Sequence, residues 1–342
     1  MIVGIYRNKF NMNKLCIVAL FITLHIICVG EDFNAISTFS ITEKNDTISF
    51  IRVAKGSLQK PTIIFCQGSL PIPVVIDSEG IRWIPSLSNF NYDSLLGKYH
   101  IVVISMPNTP VEINEEKLTN SYEYKPNDKY VEKFRQNDYL EKYVERGNAV
   151  LNYLRQQDWV RKDRIIVIGH SQGSHIALEI GAHNPDIYAV GCLSLNVFGR
   201  ASQYILQSRD EGQRGIVSDS TAQKDIEETY EWWQDICRDS TEIKTGNTKQ
   251  TWRSFSRPFI EDIVNLKMPV YVAYGTEDLG PCMCDLLPLF FELKGKHDYK
   301  MHAFVGCGHN FEPILSDGKH DFDNMHWQDV IDEFITWSEN LQ

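Results

Sequence analysis

The chain has 342 residues, a formal net charge of −11 and 43% hydrophobic residues, with no low-complexity run. That length can bury the core of one large domain or two small ones. The acidic balance weighs against nucleic acid or an anionic membrane surface as the main partner.

Residues 1–30 stand apart. Arg7, Lys9 and Lys14 occur without an acid, the apolar run "LCIVALFITLHIICVG" follows, and then the polar "EDFN". A basic segment, a short apolar segment and a small residue before a polar start describe a secretory signal peptide, here cleaved after Gly30. The apolar run is shorter than the about 20 residues of a membrane span. The expectation is export, periplasmic or secreted, with residues 31–342 as a single domain; a retained membrane anchor is the alternative. Six cysteines lie beyond the leader: Cys66, Cys192, Cys237, Cys282, Cys284 and Cys307. Export permits disulfides, and Cys237 bridged to Cys282 or Cys284 is one option. Cys66 and Cys192 sit in apolar runs and read as buried thiols. "PCMCD" is too tightly spaced for a zinc half-site, and no second Cys/His pair completes one. No metal and no organic cofactor is expected.

Along the chain, "DTISFIRVA" (46–54) reads as an early antiparallel strand, and "PTIIFCQGS" (61–69) and "YHIVVISMP" (99–107) as buried strands. A polar loop, 108–130, leads to an amphipathic helix over 139–157, whose apolar positions Leu140, Tyr143, Val144, Val150, Leu151 and Leu154 share one face. Strand 164–169, helix 172–183 and strand 188–198 follow. Residues 200 to about 265 contain no strand-like run and read as a helical cap insertion. Strands 269–275 and 299–306 and a closing helix from Trp327 complete the chain. Such alternation predicts an α/β fold, a mostly parallel doubly wound sheet with helices on both faces.

One junction carries chemistry. In "IIVIGHSQGSHIALEI" a buried strand runs into Gly169-His170-Ser171-Gln172-Gly173 and then a helix. A hydroxyl is a poor nucleophile at neutral pH and needs a base, a group orienting that base, and donors for an oxyanion. Gly-x-Ser-x-Gly between strand and helix supplies the first requirement. The turn is too tight for side chains at Gly169 and Gly173, and it presents Ser171 beneath the positive end of the helix. The plainer alternative is a structural turn whose serine caps the helix.

On "GHSQGS" and its surroundings the chain resembles the α/β-hydrolase superfamily over roughly residues 45–342, most closely the esterase and dienelactone-hydrolase-like branches. The resemblance implies the order nucleophile, acid, histidine, with the acid after a late strand and the histidine after the last one. In "GTEDLGP" it points to Asp278, with Glu277 the alternative; in "FVGCGHNFEP" it points to His309, with His320 the fallback. It also implies two backbone N–H donors, from Gln172 and from the loop after strand 61–69. There Gln67-Gly68 replaces the His-Gly of similar hydrolases, which makes Ser69 the donor and Leu70 the alternative.

Together these readings give a serine hydrolase acting on a small-molecule ester, thioester or other acyl substrate, without nucleic acid or metal. A serine peptidase and a non-enzymatic binding protein are the alternatives. The insertion's Tyr230, Trp232, Trp233, Trp252, Phe255 and Phe259 would line an apolar pocket or form the insertion's own small core. Arg253 and Arg257 would hold a substrate carboxylate or sit in solvent.

Overall fold

A computed structural model describes residues 36–238, 243–244 and 246–341; the leader expected over residues 1–30 lies outside them. The main sheet has eight strands: β1 (Ile36–Glu43), β2 (Asp46–Val53), β3 (Lys60–Cys66), β6 (His100–Ile104), β8 (Val160–His170), β9 (Ala189–Leu193), β12 (Val270–Gly275) and β13 (Tyr299–Phe304). Their spatial order is β1-β2-β6-β3-β8-β9-β12-β13. β2 is antiparallel to both neighbours, and every pairing from β6 to β13 is parallel.

The apolar runs alternate between two cores, which is why they read as continuous. On β8, Ile165 and Val167 enter one cluster, with α2 (Leu140–Leu154) and α3 (Gln172–His183). Ile166 and Ile168 enter the other, with α9 (Trp327–Glu339). Successive strand residues point to opposite faces, so a strand covered on both sides must be apolar throughout.

Register sets the site. Cys66 of β3 pairs with Gly169 of β8, and Leu193 of β9 pairs with both His170 and Ala273 of β12. The carboxyl ends of these central strands therefore lie level. After β3 the chain goes out to β6 and returns to β8, leaving a switch point between β3 and β8. Ligands of open α/β sheets bind in that crevice.

Several elements depart from the sequence expectations. The polar loop 108–130 contains β7 (Glu112–Asn114), which pairs with β4 (Val75–Ser78), itself paired with β5 (Ile81–Trp83). Strands this short offer no periodic window. The loop leads into an additional helix, α1 (Asp128–Asn137), capped by the Asn127 side chain. β9 stops at Leu193 rather than running to residue 198, because Ser194 turns to a φ of 50°. α8 (Leu287–Lys294) was not anticipated.

The region after β9 holds α4 (Ser202–Gln213), α5 (Asp219–Arg238), α6 (Lys249–Phe255) and α7 (Ile260–Val264). It also holds two short paired strands, β10 (Ile243–Lys244) and β11 (Asn247–Thr248), where only helix was expected. Trp232, Ile236 and Trp252 form a small separate core, whereas Phe255, Phe259 and Ile263 join a main cluster.

Candidate active site

Ser171 sits between β8 and α3 with φ 57° and ψ −123°. A non-glycine residue there is strained by about 1–3 kcal/mol, and such strain persists only where the surroundings enforce it. Here they do. Ser171 N–H donates to the Leu193 carbonyl at 3.0 Å, and the Ser171 carbonyl accepts from Ser174 N–H at 3.0 Å and Ser174 Oγ at 2.5 Å. A methyl on Gly169 would lie 2.0 Å from the Gly173 carbonyl oxygen, and one on Gly173 would lie 2.1 Å from the Cys66 carbonyl oxygen. The elbow closes on itself and against the end of β3 only without side chains at both places.

Asp278 follows β12. A methyl on Gly275 would lie 2.2 Å from the Cys307 carbonyl oxygen, so the loops after β12 and β13 are pressed together. His309 Nδ1 donates to Asp278 Oδ2 at 2.6 Å, and Nε2 faces Ser171 Oγ at 2.8 Å. A carboxylate only accepts, so the Nδ1 proton is fixed and Nε2 presents its lone pair to the serine hydroxyl. Asp278 is buried, 6% exposed, while the His309 side chain keeps 41% of its surface exposed. Glu277 is turned outward, 43% exposed, 3.8 Å from Arg214.

Desolvation disfavours the His309 imidazolium. The Asp278 charge, the hydrogen bond to Asp278 and the Glu312 charge outweigh it, and the pKa rises above the ordinary 6.5. This favours the protonated imidazole that a base must become.

The loop bearing His309 is braced by residues that no motif marks. Its carbonyl accepts from His170 Nε2 and from Ser194 Oγ, both at 2.8 Å. Burial pushes the His170 pKa down to about 3, with the His309 charge adding to the effect, so its ring is neutral. Glu312, fully inside the loop, accepts from Asn310 N–H at 2.7 Å and from His320 Nδ1 at 2.6 Å. His320, the fallback base, is thus engaged with Glu312 rather than with Ser171.

Gln172 N–H is the first of α3, among those that helix geometry leaves without an intrahelical acceptor. The loop after β3 passes the elbow, and Gln67 Nε2 anchors it to the Ile104 carbonyl at 2.9 Å. Ser69 follows on this loop, half-buried, whereas Leu70 is largely exposed.

Trp232 and Trp252 pack in the insertion's own core, Phe255 and Phe259 in the main one, and Tyr230 is exposed. Arg257 is paired with Glu179 and Asp262, and so is not available for a substrate carboxylate. All six described cysteines are free, including Cys237, Cys282 and Cys284. Cys66 and Cys192 are buried thiols. Among the described residues no group of three or more His, Cys, Asp or Glu side chains is arranged to hold a metal ion.

Residues 94–215 match the family model described as the Abhydrolase family, a stretch that includes the elbow but neither Asp278 nor His309. No curated protein matches the chain. Among solved structures, a candidate dienelactone hydrolase from Klebsiella pneumoniae subsp. pneumoniae MGH 78578 is similar with a TM-score of 0.52 and 11% identity, covering 90% of this chain and 100% of that one. GrgF, an α/β hydrolase from Penicillium sp. sh18, gives 0.51 and 14%, covering 89% and 98%. The chain has the α/β-hydrolase fold. Dipeptidyl peptidase 4 of Porphyromonas gingivalis shares this fold, with a TM-score of 0.53 and 12% identity; 90% of this chain covers 35% of that longer one. Within the α/β-hydrolase fold, the strand-ordered loops collect hydroxyl, imidazole and carboxylate at one sheet edge.

Proposed function

We propose that the protein is a serine hydrolase that cleaves a carboxylic ester or thioester through an acyl-enzyme. The supporting observation is the hydrogen-bonded chain from Ser171 through His309 to Asp278 on a strained elbow. Ser171 Oγ attacks the acyl carbon as its proton passes to His309 Nε2. Asp278 holds the imidazole tautomer and stabilises the imidazolium. Gln172 and Ser69 N–H groups receive the tetrahedral oxyanion, each worth on the order of 3 kcal/mol. The imidazolium protonates the leaving oxygen or sulfur as its bond to carbon breaks. His309 then takes a proton from water, whose oxygen attacks the acyl carbon; collapse frees the acid and returns the proton to Ser171.

A fluorophosphonate probe and a panel of aryl esters, thioesters and peptide anilides test this reading on wild type and Ser171→Ala. The expected result is labelling of wild type alone, with ester turnover falling by at least about 10⁴-fold in the variant. Equal labelling of both proteins would remove Ser171 as nucleophile. Anilide turnover without ester turnover would replace the esterase with a peptidase, and an unlabelled wild type would indicate a binding protein.

A further inference from the structure

Asp138 lies at the corner between α1 and α2, linked to the elbow by one side chain. Its Oδ1 accepts from Tyr143 OH at 2.8 Å and from Gln172 Nε2 at 3.3 Å, and Gln172 directly follows Ser171. Among the described residues nothing donates to Oδ2, although Asp138 is only 3% exposed. Burial raises its pKa, an effect opposed by the Tyr143 and Gln172 bonds and the Arg200 charge. A buried carboxylate is costly unless paired, and Oδ2 here has no protein donor, although it is not fully enclosed and keeps some accessible surface.

What remains of its surface faces a cavity of about 190 Å³. Water occupies about 30 Å³ in the liquid, so a few non-hydrogen atoms of a ligand fit there. Ser69 and Leu70 of the loop after β3 form one wall, Tyr130 and Phe134 of α1 another, and Asn247 a third. The cavity thus joins the loop expected to hold the oxyanion to an incompletely bonded acid. Two cations also line it. Lys125 is held by Glu123 at 2.6 Å, and Arg135 stands one turn before Asp138 on the same chain, with no ion pair to it.

We propose that this cavity is a substrate-recognition subsite in which Asp138 Oδ2 binds a protonated amine carried by the substrate; it rests on the hydrolytic reading above. A substrate whose carbonyl oxygen lies between Ser69 and Gln172 N–H extends its acyl chain past Ser69 towards Asp138. A hydroxyl would add another bond from a neutral donor, as Tyr143 already does, and would leave the carboxylate charge uncompensated. An ammonium supplies a charge-assisted bond and lies against the Tyr130 and Phe134 rings. Asp138 determines specificity and takes no part in the chemical step.

The test compares p-nitrophenyl esters of an ω-amino acid and of its isostere with methyl in place of ammonium. Wild type is expected to favour the amine by about tenfold or more in kcat/KM, chiefly through KM. The ratio collapses towards one in Asp138→Asn. It also collapses in the unmutated protein as pH falls through the raised pKa of Asp138, a readout that does not depend on the variant folding. Wild type that is labelled by fluorophosphonate yet cleaves both esters equally overturns the subsite and leaves the hydrolase standing. Binding of n-butylammonium to Ser171→Ala, measured by calorimetry, reads the subsite without catalysis. Heat of binding lost in the doubly substituted Ser171→Ala, Asp138→Asn protein supports it even if labelling fails, and no binding to Ser171→Ala overturns it.

Discussion

The loop bearing His309 and the corner bearing Asp138 both approach the elbow, and they satisfy their polar groups differently. In the loop, Gly308 N–H donates to the Glu312 carbonyl, Asn310 N–H to the Glu312 carboxylate, and the His309 carbonyl accepts twice. At the corner, two neutral donors share one carboxylate oxygen and the other has none. A saturated network over-determines a geometry, which a proton relay requires. A carboxylate buried as a whole, with one accessible oxygen lacking a protein donor, costs stability and leaves a place for a ligand donor, the trade between stability and function that binding sites often show.

The largest expected effect comes from inverting one bond in the saturated loop. Asp278→Asn keeps the shape but offers Nδ1 of His309 an amide, which favours the wrong tautomer. Ester turnover is expected to fall by about 10⁴-fold, with little change in melting temperature. A loss under tenfold would mean that the Asp278 bond does not set the tautomer.

What was legible in the sequence follows the same division. The elbow was readable because glycine spacing, strand and helix are adjacent in the chain. The fold class was readable from strand–helix alternation, and its neighbours share it. Glu277 and Asp278 are consecutive, so spacing could not separate them; their orientations depend on Asp278 N–H donating to the Gly275 carbonyl and Glu277 N–H to that of Cys307. His170, Ser194 and Glu312 brace His309 with no sequence signature. Two of these contacts span more than 100 residues, and the third looks like any loop acid. Asp138 was hidden for the same reason, since its neighbours Gln172 and Ser69 come from other elements. Composition alone could not tell a substrate pocket from the insertion's own core; Trp232 and Trp252 form that small core, whereas Phe255 and Phe259 join the main one.

A middle-sized effect separates the brace's charge from its hydrogen bonds. In Glu312→Gln the amide oxygen can still accept from Asn310 N–H, and its nitrogen can donate to Nδ1 of His320 in the other tautomer. What is lost is the negative charge that helps to raise the His309 pKa. Asp278, His170 and Ser171 still face that ring. His309 must be neutral to act as base, so activity falls as pH drops through its raised pKa. The acid limb of the pH–kcat/KM profile is expected above 6.5 in wild type and at lower pH in the variant, with about a tenfold loss at the plateau. An unmoved acid limb would reduce Glu312 to a structural brace.

The smallest effect tests the unsaturated side through stability. The Asp138 pKa is raised on folding, so ionising it destabilises the folded state. That penalty is absent below the unfolded value near 3.8, grows as pH rises through the folded value, and is complete above it. Asparagine keeps an oxygen for Tyr143 and Gln172 and removes the charge facing the cavity. Asp138→Asn is therefore expected to be as stable as wild type or more stable by about 1 kcal/mol at neutral pH. The difference should shrink as pH is lowered towards 3.8, measured by urea denaturation of both proteins across that range. A variant destabilised by about 2 kcal/mol or more at neutral pH would show that the Asp138 charge is already compensated within the protein, leaving a substrate ammonium no unmet acceptor to fill.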